Sequence, residues 1–237
     1  YEHEYNFIDL KKPEDKINKI RAIREINSKN VRKLLPMNKE SLKSFNLFFK
    51  DKIKISQEVV YPITFVPEKF RKKVNKEKII LFIGSSNILN DLAFYIKGGY
   101  ETLIAFERLS KKYSNYKFMI ISKIPKEIIL KPRKNFIVQD ILPQKELWEV
   151  MNKSLIFVQP NYHAPTMAYL EAMFFRLPII TYNCWANDEY VDKNNGILIN
   201  PENINHINKY NIPQYTPDTI KKIIKNGDKN SKKIEKE

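Results

Sequence analysis

From residue 79 onward the sequence alternates short apolar runs with segments whose apolar residues recur at helical spacing. The first run, Ile79–Ile83, is apolar at every position and is closed by Gly84. Runs of this kind are typical of strands that are buried on both faces. The sequence predicts six strands, at 79–83, 117–122, 135–139, 155–158, 178–182 and 196–199.

The segments between these strands predict helices at 98–113, 143–153, 165–176 and 217–226. Two of them, 143–153 and 165–176, have proline in the first turn, where a missing N–H costs no helical hydrogen bond. Strands and helices that alternate through short connections form a parallel sheet covered on both faces. We therefore predict an α/β fold with a doubly wound, Rossmann-like parallel sheet, preceded by a partial N-terminal helical segment.

The first third of the chain lacks this alternation. It predicts two helices, a short strand and a charged linker, at 17–26, 39–50, 59–62 and 67–78. We predict three parts: a mostly helical N-terminal or interdomain segment at 1–75, a Rossmann-like domain at 76–215 and a basic C-terminal helix or tail at 216–237, solvated and frayed from 221. A start at Tyr1 is typical of a fragment or of a trimmed chain.

The charge is concentrated in the flanks. The chain of 237 residues carries a net +15, of which residues 1–78 supply +9 and residues 221–237 supply +4, so the body between them is nearly neutral. Nucleic-acid binding would need basic residues interleaved with exposed aromatics or a known module, and neither is visible. A polyanion partner is therefore not indicated. Contact of the basic flanks with an anionic membrane surface stays open.

The single cysteine, Cys184, excludes a disulfide framework and favours a reducing compartment. We expect this thiol to be inert packing, because no basic or histidine partner lies near it in the sequence. No apolar run approaches the ~20 residues of a membrane span. These features indicate a cytoplasmic protein, with peripheral association at a membrane surface as an open addition.

The segment 159–173, QPNYHAPTMAYLEAM, is the most informative stretch for chemistry. It predicts a strand end, a polar loop and a helix whose first turn opens at the ligand edge of a parallel sheet. Free backbone N–H groups at Thr166 and Met167, together with the helix dipole, would attract a phosphate. Glu171, about one and a half turns into the helix, can accept hydrogen bonds from the vicinal hydroxyls of a ribose.

Several motifs in order resemble the C-terminal nucleotide-sugar-binding domain of GT-B retaining glycosyltransferases of the group 1 family. The resemblance covers roughly residues 55–200 and is carried by FIG at 82–84, KGG at 97–99, EAM at 171–173, LPII at 177–180 and NGILI at 195–199. It implies that the domain at 76–215 binds a nucleoside diphosphate-sugar, UDP- or GDP-linked, and that the protein transfers a hexosyl group with retention. It implies no cofactor and no metal, because helix termini and basic side chains neutralise the diphosphate.

The resemblance also implies roles for individual residues. Glu171, Lys97 and His163 occupy the positions expected to act on the donor. The donor-binding residues it implies are Gly84, Ser85, Ser86, Lys97, Ile141, Pro165, Thr166, Met167 and Glu171. Some of these residues have a plainer alternative: a solvated loop lysine for Lys97, and ordinary loop polarity for the two serines and for His163. Trp185 either lines the pocket or packs under its loop.

The sequence departs from the family pattern at two positions. His163 stands where the family has the first glutamate of its E-x7-E motif, and Ser85 stands where an arginine commonly follows the first glycine. The N-terminal acceptor-binding domain is largely missing from this sequence, so we expect a missing domain or partner chain. The acceptor is unknown, and a lipid-linked or membrane-proximal glycan is one interpretation. The departures leave open a non-catalytic nucleotide-sugar-binding or scaffolding subunit.

Overall fold

The computed structural model describes most of the chain, namely residues 13–50, 52–70, 72, 74–84, 92–129, 131, 133–163, 167–202, 207, 213 and 216–237. These residues divide into two compact units. The first consists of the described residues within 1–62 together with 207 and 213. The second consists of the described residues within 63–205 and 216–237.

The first unit is small and mostly helical. It contains α1 (Pro13–Ile26), β1 (Lys33–Leu34), α2 (Lys39–Phe49) and β2 (Ser56–Gln57), and the two short strands pair in parallel. Asn38 begins α2 by accepting a hydrogen bond from the backbone of Ser41 at 2.7 Å. The ammonium of Lys19 lies 4.2 Å from the ring centre of Phe48, which is the buried anchor of α2.

The second unit is built on a six-stranded parallel sheet. Its strands, in chain order, are β3 (Ile79–Ile83), β4 (Lys117–Ile121), β5 (Phe136–Gln139), β6 (Ile156–Val158), β7 (Ile179–Tyr182) and β8 (Gly196–Ile199). Their spatial order is β5-β4-β3-β6-β7-β8, and every neighbouring pair is parallel. The chain therefore adds β4 and β5 on one side of β3, and then returns to add β6, β7 and β8 on the other side.

Helices cover both faces of this sheet. They are α3 (Leu92–Ile96), α4 (Gly99–Lys112), α5 (Gln144–Lys153), α6 (Met167–Phe174) and α7 (Pro217–Lys236), with single 3-10 turns at Glu68–Phe70 and Asn187–Glu189. One apolar core joins Phe82 of β3 to α3, α4 and α7. The other joins Leu81 of β3 to α5 and α6. Alternate residues of β3 thus enter different cores, as the continuous apolar run predicts.

The predicted doubly wound parallel sheet is confirmed, with all six strands within two residues of their expected limits. Two local predictions were wrong. Residues 59–62 are not a strand; the strand lies earlier, at Ser56–Gln57, and Val60 only donates its N–H to the carbonyl of Pro36 at 2.9 Å. The helix expected to end at Arg176 ends at Phe174, because Arg176 adopts a positive φ of 54° and Leu177 N–H returns to the carbonyl of Ala172.

The prediction of a solvated, fraying tail from residue 221 was also wrong. α7 runs for 20 residues to Lys236, ten beyond its predicted end, and buries Ile223 and Ile234 against α4. Arg108 of α4 ties the two helices together through ion pairs with Asp228 and Glu235. The prediction failed because the many charged residues of this segment belong to an amphipathic helix with one apolar stripe. No helix in the described ranges is long and apolar enough to cross a membrane.

Candidate functional site

The candidate site lies where the direction of sheet building reverses. β3 pairs with β4 on one side and with β6 on the other, so the carboxyl ends of β3 and β6 are neighbours. In doubly wound sheets the chain leaves two such strand ends in opposite directions, and ligands bind in the crevice between the loops that follow. The loop after β3 begins with Gly84, and the loop after β6 begins with Gln159.

Lys97 lies at this crevice, between α3 and α4. Its ammonium donates a hydrogen bond to the carbonyl of Gly84 at 2.9 Å, at the very end of β3. The side chain is partly buried, and this burial lowers the pKa of Lys97. The alternative of a solvated loop lysine is therefore wrong. No carboxylate within the described ranges forms an ion pair with Lys97.

Gly98 holds Lys97 in this place. Its φ is +72°, and a Cβ at this position would lie 2.2 Å from the carbonyl oxygen of Pro160 in the loop after β6. The same loop is also bound by the last residue of α3, because Tyr162 N–H donates to the carbonyl of Ile96 at 2.9 Å. The KGG sequence thus packs against the loop after β6 through Gly98, while the Lys97 side chain contacts the end of β3.

The first turn of α6 is fixed at the same edge by Tyr169. Its buried hydroxyl donates to the carbonyl of Gln159 at 2.9 Å and also contacts Thr181 of β7. The amide of Gln159 in turn donates to the carbonyl of Ile83. α6 is therefore anchored to three neighbouring strands, with Met167 at its first residue and 51% exposed.

Glu171 is 8% exposed and is held by two residues of α5. Its Oε1 accepts hydrogen bonds from the amide of Gln144 at 2.7 Å and from the indole N–H of Trp148 at 2.8 Å. Burial raises the pKa of Glu171, and the two donors act against that rise. The sequence did not indicate this contact, because the partners lie 27 and 23 residues earlier in the chain.

His163 and Trp185 face each other across the loops that follow β6 and β7. Their ring centres are 6.0 Å apart, and both side chains are partly exposed. The two loops are joined by Asn187, whose buried amide donates to the carbonyl of Asn161 at 2.7 Å and to that of Tyr182 at 3.0 Å. Asn161 also accepts the backbone N–H of His163 at 3.0 Å. Trp185 therefore forms part of the rim of the crevice beside His163.

The other residues implied by the resemblance are placed as follows. Gly84 lies at the end of β3 in contact with Lys97, and Ile141 lies just past β5 with 39% of its surface exposed. Ser85, Ser86, Pro165 and Thr166 lie outside the described residues. Cys184 packs against the core, as predicted, and burial raises the pKa of its thiol to about 12.

A family comparison decides the class of this domain. The model of the family described as "Glycosyl transferases group 1" matches residues 66–233, which is most of the chain. The chain belongs to the group 1 glycosyl transferases. The matched range begins before β3 and ends within α7, so it covers the six-stranded sheet and the crevice at its carboxyl edge.

Solved structures show the same GT-B fold at low identity. The pneumococcal O-GlcNAc transferase GtfA, in complex with UDP and GlcNAc, aligns with a TM-score of 0.54 at 12% identity, over 89% of this chain and 39% of GtfA. Anabaena HepE in complex with UDP-glucose aligns with a TM-score of 0.53 at 12% identity, over 96% of this chain and 64% of HepE. This group 1 chain thus spans less than two thirds of the length of either protein. A search of curated proteins gave no match.

Proposed function

We propose that this chain is the donor-binding half of a retaining group 1 glycosyltransferase, which binds a nucleoside diphosphate-sugar and transfers its hexosyl group to an acceptor. The observation that carries the proposal is the Lys97 ammonium bound to Gly84 where the sheet reverses direction. A cation in that crevice, with no carboxylate partner in the described ranges, fits a diphosphate.

In the proposed reaction the bond between the anomeric carbon and the terminal phosphate oxygen breaks, the acceptor hydroxyl oxygen bonds to that carbon, and the hydroxyl proton passes to the departing phosphate. The nucleoside diphosphate leaves with the bonding electron pair, so negative charge grows on its oxygen in the transition state. Lys97 would neutralise that charge, and the backbone N–H groups of Thr166 and Met167 would donate further hydrogen bonds to it. Because Lys97 is already held in a partly desolvated place, its interaction with the leaving group is strengthened.

The nucleoside would lie between the loops that follow β3, β5 and β6. Glu171 would accept hydrogen bonds from the ribose hydroxyls, and Ile141 would cover the base with its exposed apolar side chain. Gly84, Ser85 and Ser86 would bring backbone N–H groups and hydroxyls to the diphosphate. His163 and Trp185 would face the sugar.

A UDP-linked hexose is our preferred donor, with a GDP-linked sugar as the alternative. HepE and GtfA, which share this fold, were solved with UDP-glucose and with UDP and GlcNAc. We further propose that a second domain or a partner chain completes the acceptor side; GtfA, which shares this fold, was itself solved as a GtfA/B complex. A lipid-linked or membrane-proximal glycan acceptor and a cytoplasmic location belong to the same proposal.

His163 supports a second candidate function. A histidine in place of the family glutamate would remove a carboxylate from the sugar site, which suits a subunit that binds the nucleotide-sugar without transferring it. Replacing His163→Glu separates the two. In a catalytic protein this substitution would change the donor preference or the rate of slow donor hydrolysis. In a non-catalytic subunit the preference would stay the same and donor hydrolysis would stay at background.

Calorimetric titration of the purified chain with UDP, GDP, UDP-glucose and UDP-GlcNAc tests donor binding. We expect binding below millimolar for one nucleotide class and a clear loss in Glu171→Ala. Arg176→Ala serves as the control, because Arg176 is exposed at the far end of α6. The proposal fails when no nucleotide binds below millimolar or when Glu171→Ala binds as the parent does.

A further inference from the structure

The helices α5 and α6 bring three polar side chains together near the ligand edge. Both helices begin at the carboxyl edge of the sheet, α5 after β5 and α6 after β6. Gln144 is the first residue of α5, and Trp148 lies four residues further, so both side chains share one face of the helix. That face contacts α6 at Glu171.

The two donors converge on one oxygen of Glu171. Oε1 receives N–H bonds of 2.7 and 2.8 Å, and no described residue donates a hydrogen bond to Oε2. An oxygen held by two donors from a neighbouring helix fixes the plane and the direction of its carboxylate. The second oxygen keeps its full capacity to accept.

A purely structural reason for this arrangement is weak. Glu171 is 8% exposed and forms none of the ion pairs found in the described ranges. A buried carboxylate without a cation is costly, and apolar packing between two helices would serve stability at least as well. Gln144 is itself exposed, so its amide gives up contact with water to bind Glu171 at 2.7 Å.

We propose that Gln144 and Trp148 are positioning residues for the nucleotide, which hold Glu171 so that its Oε2 accepts the hydroxyls of the donor ribose. This inference rests on the proposed function. It assigns a task to two residues that do not touch the sugar or the diphosphate. It also makes selection of ribose over 2′-deoxyribose depend on α5.

The experiment compares the affinity for UDP with that for 2′-deoxy-UDP by calorimetry, using the whole chain; GDP and 2′-deoxy-GDP replace them when the protein prefers guanine. The parent should prefer the ribonucleotide about 10-fold or more, as a hydrogen bond to a charged group predicts. Gln144→Met and Trp148→Phe each remove one donor and should lower this preference several-fold. Gln144→Glu, which places a second carboxylate beside Glu171, should abolish it.

Phe70→Leu is the matched control. The ring of Phe70 packs on Trp148 with centres 5.3 Å apart, so this variant loosens the same packing without removing a donor. It should keep the ribose preference of the parent. Gln144 is exposed, so Gln144→Met carries the test even when Trp148→Phe folds poorly by thermal melting.

The outcomes separate this inference from the proposed function. Loss of ribose preference in Glu171→Ala with full preference in Gln144→Met and Trp148→Phe overturns the positioning role alone. A parent that binds no nucleotide, or a Glu171→Ala variant that keeps the preference, overturns both. An equal loss of UDP and 2′-deoxy-UDP affinity in the α5 variants indicates general loosening of the fold and also overturns the positioning role.

Discussion

The hydroxyl of Tyr162 donates to Oε1 of Glu101 at 2.6 Å in a place where both side chains are fully buried. Asn230 of α7 donates to the same Tyr162 hydroxyl at 3.0 Å. Three segments meet in this cluster: the first turn of α4, the loop after β6 and the C-terminal helix. Oε2 of Glu101 has no hydrogen-bond partner among the described residues.

Stability should fall as pH rises because of Glu101. Burial raises the pKa of Glu101 from 4.5 to about 7. Between these values the folded protein keeps a proton that the unfolded chain has lost, so raising the pH favours unfolding. The loss should approach about 3 kcal/mol between pH 4.5 and pH 8, at about 1.4 kcal/mol for each pKa unit. Urea denaturation at several pH values measures it.

Glu101→Gln is the comparison for this effect, because an amide resembles the protonated carboxyl and does not ionise. Its stability should vary much less over the same pH range, and it should exceed that of the parent at pH 8. Parallel pH curves for the two proteins would contradict the assigned role of Glu101. Glu107→Gln, on the surface of the same helix, controls for the loss of a helical carboxylate.

Removing the ammonium of Lys97 should weaken diphosphate binding. Lys97→Met keeps the length of the side chain but loses the charge, so we expect about 10- to 100-fold lower affinity for UDP and an unchanged, weak affinity for uridine. Because burial lowers the pKa of Lys97, the parent should also lose UDP affinity at a lower pH than an ordinary lysine would. Calorimetry across alkaline pH measures both effects.

Lys111→Met supplies the control for this loss of charge, because Lys111 pairs with Glu107 on the outer face of α4. If Lys97→Met and the parent bind UDP with equal affinity, Lys97 is not part of the donor site.

Gly98 should tolerate no side chain. An alanine there would need a φ of +72° and would place its Cβ 2.2 Å from the carbonyl oxygen of Pro160. We expect Gly98→Ala to lose about 2 kcal/mol or more of unfolding free energy. Gly98→Asn separates the two causes, since asparagine accepts a positive φ yet carries the same Cβ. Urea denaturation measures the unfolding free energy of both variants. If Gly98→Asn is as stable as the parent, the close approach to Pro160 does not limit the side chain at this position.

The fold was predictable because its signal is local. Each strand of the large sheet is a short apolar run, and β3, buried on both faces, is apolar throughout, so period and length alone identify it. The sequence did not predict the full length of α7 because lysines dominate its composition. Its buried stripe has about one residue per turn, at Ile220, Ile223, Gly227, Asn230 and Ile234. The presence of an asparagine and a glycine in that stripe further masked it.

The site was only partly predictable because its contacts are long-range. Lys97 and Gly84 could be placed at the ligand edge, since both follow the first strand of a predicted parallel sheet. The contact of Glu171 with Gln144 and Trp148 depends on how α5 packs against α6, which no local pattern encodes. The cluster of Glu101, Tyr162 and Asn230 joins residues up to 129 positions apart in the same way.

The packing of α7 gives a sharp test of its place in the core, since two neighbouring isoleucines differ only in burial. Ile223 is fully buried and Ile224 is 40% exposed. Ile223→Ala should cost about 2–5 kcal/mol of unfolding free energy, because it removes buried methyl groups and leaves a cavity beside α4, whereas Ile224→Ala should cost less than about 1 kcal/mol. Denaturant titration of the two variants measures the difference. Equal, small losses would mean that α7 does not pack on α4 and that the segment is solvated after all.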